Sequence, residues 1–215
     1  MYKRQNLALL YNYQGRYDEA EPLYLQALDM KKKLLGDERP DVASSLNNLA
    51  NLYRDQGRYD EAEPLNLQAL DMYKKLLGDE HPDVATSLNN LANLYYNQGR
   101  YDEAETLSLQ ALDMRKKLLR NEHPSVATSL NNLAYLYNAQ GRYDEAEPLC
   151  LQNLEMSKKL LGDEHPDVAT SLHNLASLYR DQGRYDEVEP LLIHCLLYTS
   201  PSPRDMRRSR MPSSA

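Results

Sequence analysis

The segment GRYDEAE stands at 15–21, 57–63, 99–105 and 141–147 and returns as GRYDEVE at 183–189, so Tyr17, Tyr59, Tyr101, Tyr143 and Tyr185 follow one another at intervals of 42 residues. A fixed period of this length constrains the fold more than composition can. Each unit is one supersecondary element that buries its apolar face only by stacking on its neighbours. Within one unit Leu46, Leu49, Ala50 and Tyr53 fall at i, i+3, i+4 and i+7, one face of an α-helix, here helix A. After Gln56-Gly57-Arg58 a second stripe, Ala62, Leu65, Ala69, Met72 and Leu76, advances by threes and fours and marks helix B. No segment asks for β structure, so the chain reads as all-α.

The punctuation agrees with two helices per unit. Asp60, followed by Glu63, reads as a capping-box-like start of helix B, with both acids favoured by the positive end of the helix dipole. Pro64 is expected at the end of the first turn, where a missing N–H costs least. At the other end Lys74 and Lys75 suit the negative pole, Gly78 is expected to take a left-handed C-cap, and Pro82 blocks continuation. Asp83 or a neighbour then starts the next helix A.

The positions Leu46, Leu49-Ala50, Tyr53, Gly57, Ala62 and Ala69 resemble the spacing of the tetratricopeptide repeat. The segments LNNLANLY, QGRYDEAEPL and LLGDEHPDVA are similar to the longer, 42-residue variety found in kinesin light chains and related bacterial proteins, over residues 5–194. The resemblance implies a right-handed superhelical solenoid of antiparallel helix pairs. Its helices A would line a concave groove that holds an extended or helical peptide.

Phase is lost at Cys195, where an Ala is expected, and residues 195–215 have no helical period. Two domains follow: 1–194, an array of a partial repeat, three complete repeats and a truncated last one, and 195–215, a disordered non-repeat tail. Cys195–Asp205 also resembles the in-frame translation of a sequencing-library adapter, and Ser209–Ala215 that of the flow-cell primer, so the tail is expected to be an artefact. Setting it aside removes four Arg and one Asp, including the basic RRSR run, and leaves Cys150 as the sole native cysteine. Because Leu7-Ala8 aligns with Leu49-Ala50 and neither end carries a polar capping repeat, the chain is expected to be a fragment of a longer array.

Seventeen Tyr without one Phe or Trp fit a single template copied several times. A net charge of −7 argues against a nucleic-acid partner, which calls for a basic stripe. No apolar run approaches the ~20 residues of a membrane span, the LALLY segment at 7–11 has no cleavable h-region to support an expectation of secretion, and two distant cysteines fit a reducing compartment, here expected to be the cytoplasm.

Catalytic and metal-binding chemistry finds no support, so neither enzyme activity nor a cofactor is expected. His81, His123 and His165 each stand alone beside a Pro, one repeat apart; stacking separates them by on the order of 10 Å, against metal–ligand bonds of about 2 Å. They read as turn residues near a helix end. GDEHPD lacks the alternating oxygen ligands and central Gly of a calcium loop. Phosphate loops, nucleophile elbows and paired-Cys zinc spacings are missing. The Asp60-Glu61-Glu63 carboxylates recur at every helix start, which favours capping over acid/base work. Cys150 shares its position with Tyr24, Asn66, Ser108 and Leu192, and no pKa-lowering neighbour is visible. The Tyr17 series reads as packing between helices A and B.

The surface of helix A remains. By register, one groove line is Gln5, Asn47, Asn89, Asn131 and His173; the next is Leu9, Asn51, Asn93, Tyr135 and Ser177; a third is Asn12, Arg54, Tyr96, Asn138 and Arg180. Asn both donates and accepts, so a ladder of Asn can bond the main chain of a peptide whatever its side chains. Tyr96 and Tyr135 would act as amphipathic anchors. A residue needed for stacking must recur in each copy, whereas one that reads a partner can differ. The unvarying Asn6, Asn48, Asn90, Asn132 and Asn174 are therefore expected to be structural. The expected site is Asn47, Asn51, Arg54, Asn89, Asn93, Tyr96, Asn131, Tyr135, Asn138, His173 and Arg180. Two functions follow: a non-catalytic peptide-binding scaffold of the cargo-adaptor type, with kinesin heavy chain or a cargo adaptor as partner by resemblance only, or a sensor segment of a larger bacterial-type signalling protein. A bare self-associating array is a third reading, and neither nucleic acid nor membrane is an expected partner.

Overall fold

Pro40, Pro82, Pro124 and Pro166 each open a helix A, where proline's fixed φ and missing N–H fit the first turn. The computed structural model describes residues 2–119 and 121–199, and among the described residues it contains ten helices and no strand. The A helices are α1 (Tyr2–Tyr13), α3 (Pro40–Asp55), α5 (Pro82–Asn97), α7 (Pro124–Ala139) and α9 (Pro166–Asp181). The B helices are α2 (Tyr17–Leu35), α4 (Tyr59–Leu77), α6 (Tyr101–Leu119), α8 (Tyr143–Leu161) and α10 (Tyr185–Thr199). They fall into two compact units, the first carrying α1 to α6 and the second α7 to α10. Helix α10 continues four residues past the register break at Cys195, to Thr199; residues 200–215, the rest of the expected tail, lie outside the described residues.

The apolar stripe of helix A is buried as its spacing predicts: Leu46, Leu49, Ala50 and Tyr53 pack inward with Val42 and Leu52. Helix B presents a different face from the one read in sequence. Leu65 and Met72 are only half-buried and Leu76 is exposed, while Ala62, Asn66, Ala69, Leu70 and Tyr73 are buried. The small alanines let helix B approach closely, so the contact centres on 62, 66, 69 and 73, with the larger apolar residues along its edge.

The helix ends correct three further expectations. Helix A, not helix B, closes in a left-handed glycine motif: Gly57 has φ 74°, its N–H donates to the Arg54 carbonyl at 2.9 Å, and the Arg58 N–H reaches the Tyr53 carbonyl at 2.8 Å. Gly78 ends helix B with φ 86° and ψ 164°, an extended mirror-image conformation open to glycine alone. Helix B starts at Tyr59 after an Arg58 that makes no side-chain cap, so Asp60 and Glu63 form no capping box and Pro64 lies in the second turn. His81, His123 and His165 are the N-caps of α5, α7 and α9, each Nδ1 accepting the backbone N–H two residues on at 3.1 to 3.2 Å.

Glu63 instead joins successive repeats. It accepts from the Tyr95 hydroxyl and from Arg100 Nη1, both at 3.0 Å, and the Arg100 guanidinium lies 3.8 Å from the Tyr95 ring centroid while pairing with Glu103 in the first turn of α6. Glu21 holds Tyr53 and Arg58 in the same way, as Glu147 holds Tyr179 and Arg184. The tyrosines buried on helix A are thus Tyr53, Tyr95, Tyr137 and Tyr179, while Tyr24 and Tyr73 are buried on helix B. Those of the Tyr17 series open helix B and are half-buried to exposed, Tyr185 at 68%.

Candidate functional site

The expected groove residues separate into two groups according to what the neighbouring helix offers them. In the first unit Asn47 and Asn89 lie within the packing, each 5% exposed, and Asn47 Nδ2 donates to Ser87 Oγ of the next repeat at 2.8 Å. They are therefore not open groove positions, because the next helix A covers Asn47 and leaves only its unpaired Oδ1. Asn51 and Arg54 are half-buried and bonded to each other at 3.2 Å, and Arg54 also pairs with Asp55 at 2.7 Å. Asn93 is half-buried, and the Tyr96 ring lies 5.7 Å from that of Tyr101.

The second unit brings four expected residues to one place. Asn131, Tyr135 and Asn138 of α7 and His173 of α9 line a cavity of about 170 Å³, together with Ala134, Asn174, Ser177, Leu178 and Cys150 of α8. Tyr135 is 60% exposed at its edge and His173 is also exposed, so the cavity has an aromatic and an imidazole rim. Asn138 Nδ2 donates to Asp181 Oδ2 at 2.8 Å, while its Oδ1 is buried without a partner. Asn12 repeats this device in the first unit, with Nδ2 on Asp55 at 3.0 Å and Oδ1 unpartnered. A buried acceptor left unpaired costs about 1–3 kcal/mol, so a ligand N–H that reaches it gains affinity. Arg180 is exposed and bonds Asp181 and Ser177, outside the cavity's lining.

Sequence reasoning missed Cys150 and Asn174 as lining residues. Burial, with the Glu147 charge adding to it, pushes the Cys150 thiol up to about 11, so it is an inert floor rather than a nucleophile. Asn174 Nδ2 donates to Asn131 Oδ1 at 2.6 Å, which makes this member of the unvarying Asn series a link between repeats. Among the described residues no group of three or more His, Cys, Asp or Glu could hold a metal ion, and no helix is long and apolar enough to cross a membrane.

A model of the tetratricopeptide repeat matches residues 2–75, 43–117 and 125–196. The chain belongs to the tetratricopeptide repeat family. This array is similar to the crystal structure of a Podosopora anserina putative kinesin light chain with nearly identical TPR-like repeats, at 33% identity over 94% of this chain and 96% of that one, with a TM-score of 0.73. BtubC (BKLC) from P. vanneervenii is 27% identical over 97% of this chain and 81% of its own, with a TM-score of 0.74. A signal transduction ATPase with numerous domains from Pyrococcus horikoshii, which carries a tetratricopeptide repeat sensor, shares the fold at 16% identity and a TM-score of 0.72, over 97% of this chain and 30% of that one. Comparison with the curated proteins gives no match. The array is thus kinesin light chain-like in its repeats, and families of this fold serve as protein-interaction scaffolds.

Proposed function

We propose that this tetratricopeptide array is a non-catalytic, cytoplasmic peptide-binding scaffold of the cargo-adaptor type. Its ligand is an extended segment laid across α7 and α9. The supporting observation is the convergence of Tyr135, Asn138 and His173 on one cavity with a buried, unpartnered amide oxygen at Asn138. That oxygen accepts a main-chain N–H, Tyr135 offers an amphipathic face, and the His173 imidazole adds a polar edge. Main-chain recognition of this kind tolerates many side chains, as suits an adaptor. A peptide library panned on the chain tests it: Tyr135→Ala and Asn138→Ala should each weaken selected peptides by about tenfold, the equivalent of one good contact. Equal binding by parent and variants overturns the assignment.

The sensor reading is the alternative, supported by the fold shared with the Pyrococcus horikoshii protein. The reading frame around this segment distinguishes them: a phosphate-binding loop upstream favours the sensor, and heptads upstream favour the motor adaptor.

A further inference from the structure

One position of helix B carries a large, buried, donor-tipped side chain in three successive repeats: Lys31, Tyr73 and Arg115. Each is buried within the first unit against its helices A. Lys31 Nζ donates to the Asp41 carbonyl at 3.0 Å and lies 3.9 Å from the Asp41 carboxylate. The Tyr73 hydroxyl feels both the Asp83 carboxylate and the Ser44 hydroxyl, and Arg115 Nη2 reaches Thr86 Oγ1 at 3.4 Å. Two kinds of neighbour stand out: an Asp at the start of the following helix A, for Lys31 and Tyr73, and a hydroxyl on the preceding helix A, for Tyr73 and Arg115.

In the fourth repeat this position is Ser157, and the alanine one turn earlier, Ala27, Ala69 or Ala111 in the other copies, is Asn153. The truncation leaves a cavity of about 210 Å³. For scale, a cavity of ~150 Å³ admits a benzene-sized molecule. Its floor is polar: Asn153 Nδ2 reaches Asn131 Oδ1 at 3.5 Å, Ser157 Oγ bonds Asn153 Oδ1 at 3.4 Å, and Ser171 Oγ bonds Ser157 Oγ at 3.3 Å. Its wall retains Asp167 and Thr128, which occupy in register the places of Asp41 and Thr86. Thr128, Leu160 and Thr170 are exposed at its mouth, so the slot opens to solvent.

We infer that this slot is a binding site for an arginine or lysine side chain of a partner polypeptide, whose cationic end meets Asp167 and Thr128 as the chain's own Lys31 meets Asp41 and its own Arg115 meets Thr86. An amino-acid side chain is the matching object because the other copies fill the space with one. The Asp167 carboxylate selects a cation over a neutral chain, since an ion adjoining a hydrogen-bonding counter-charge gains more than a neutral donor. The site stands apart from the α7–α9 groove: the two cavities share Asn131 and Asn174 but no other lining residue.

Titration of the isotope-labelled chain with a blocked Gly-Arg-Gly peptide, read by amide chemical shifts, tests the inference. Saturable shifts at Thr128, Asn153 and Ser157, weaker by about tenfold with norleucine or tyrosine in place of arginine, support it. Their loss in Ser157→Arg, where the chain's own guanidinium occupies the slot, supports it further. Should that variant fail to fold, Asp167→Asn makes the same test, because it keeps the shape and removes the charge. Equal shifts from the norleucine peptide, a stronger response to spermidine than to the peptide, or an undiminished response in a folded variant overturns it. Tyr135→Ala, which tests the groove, leaves this titration unchanged.

Discussion

Helices α4 and α8 are copies of one template, yet α4 packs a full interior and α8 a hollow one. Along the inward face α4 carries Asn66, Ala69 and Tyr73, whereas α8 carries Cys150, Asn153 and Ser157. In α4 the bulk of Tyr73 fills the space toward the adjoining helices A, and the buried amide of Asn66, 1% exposed, has neither its Nδ2 nor its Oδ1 paired. In α8 the amide has moved one turn along the helix, where it finds Asn131 and Ser157, and the bulk is gone, leaving cavities on both sides. Three side chains on one face therefore decide whether a repeat is closed or open. The joint between repeats is the same in both units, since Glu63 and Glu147 each hold a Tyr and an Arg of the next copy.

The largest test of this contrast is Tyr73→Ser, which gives α4 the hollow of α8. Deleting a buried aromatic ring costs about 3–5 kcal/mol, so urea unfolding of the first unit should move by that amount, with loss of amide protection centred on α3 to α5. A cost below about 1 kcal/mol would mean that the site collapses and that α8 owes its cavity to something besides Ser157. Next comes Asn66→Leu, which installs the residue of the fifth copy, Leu192. Removing two unpaired buried polar atoms should stabilise the chain by about 1–3 kcal/mol, read as a higher melting temperature; destabilisation would show that Asn66 has a partner.

The smallest expected effect concerns acid stability and the shared joint. Hydrogen bonds from Arg184 and Tyr179 hold the Glu147 carboxyl below the ordinary carboxylate range against the opposing effect of burial. At Glu63 desolvation raises the pKa, and hydrogen bonds from Arg100, Tyr95 and Gln98 outweigh it. Both carboxyls therefore hold their protons less firmly when folded than when unfolded. Their contribution is fully present above the ordinary value of 4.5 and is lost as the pH falls through the depressed folded values. Glu63→Gln with Glu147→Gln should lower stability at neutral pH and flatten the acid limb, so that variant and parent curves converge in acid. Parallel curves down to pH ~2 would exclude the joint as a source of acid lability.

The helix A stripe was legible because its inward positions from Leu46 to Tyr53 are apolar except Asn47, and its start because proline marks the first turn. The inward face of helix B was harder to read. Its contact runs through Ala62 and Ala69, and the positions between and beyond them hold Asn66 and Lys31, Tyr73, Arg115 or Ser157, which a search for apolar periodicity passes over. The spacing 62, 66, 69, 73 was nevertheless on the page, anchored by alanines that recur in the first three copies. The role of Glu63 escaped for a different reason: its partners Tyr95 and Arg100 lie more than 30 residues away, and a nearby helix start offered a local explanation. Among the groove lines, register identified which residues share a helix face; burial by the following repeat then withdrew Asn47 and left Tyr135, Asn138 and His173 around a cavity.

The joint formed by Glu21 with Tyr53 and Arg58, and again by Glu63 and Glu147 with their partners, places its acceptor in one copy and its donors in the next. Unequal crossing-over that removes or adds one whole period brings an acceptor of one copy against the donors of another, and the seam is chemically the same as before. An array built this way can lengthen or shorten in its gene without a compensating mutation at the breakpoint. Repeat number is then free to change faster than the side chains that line any one opening.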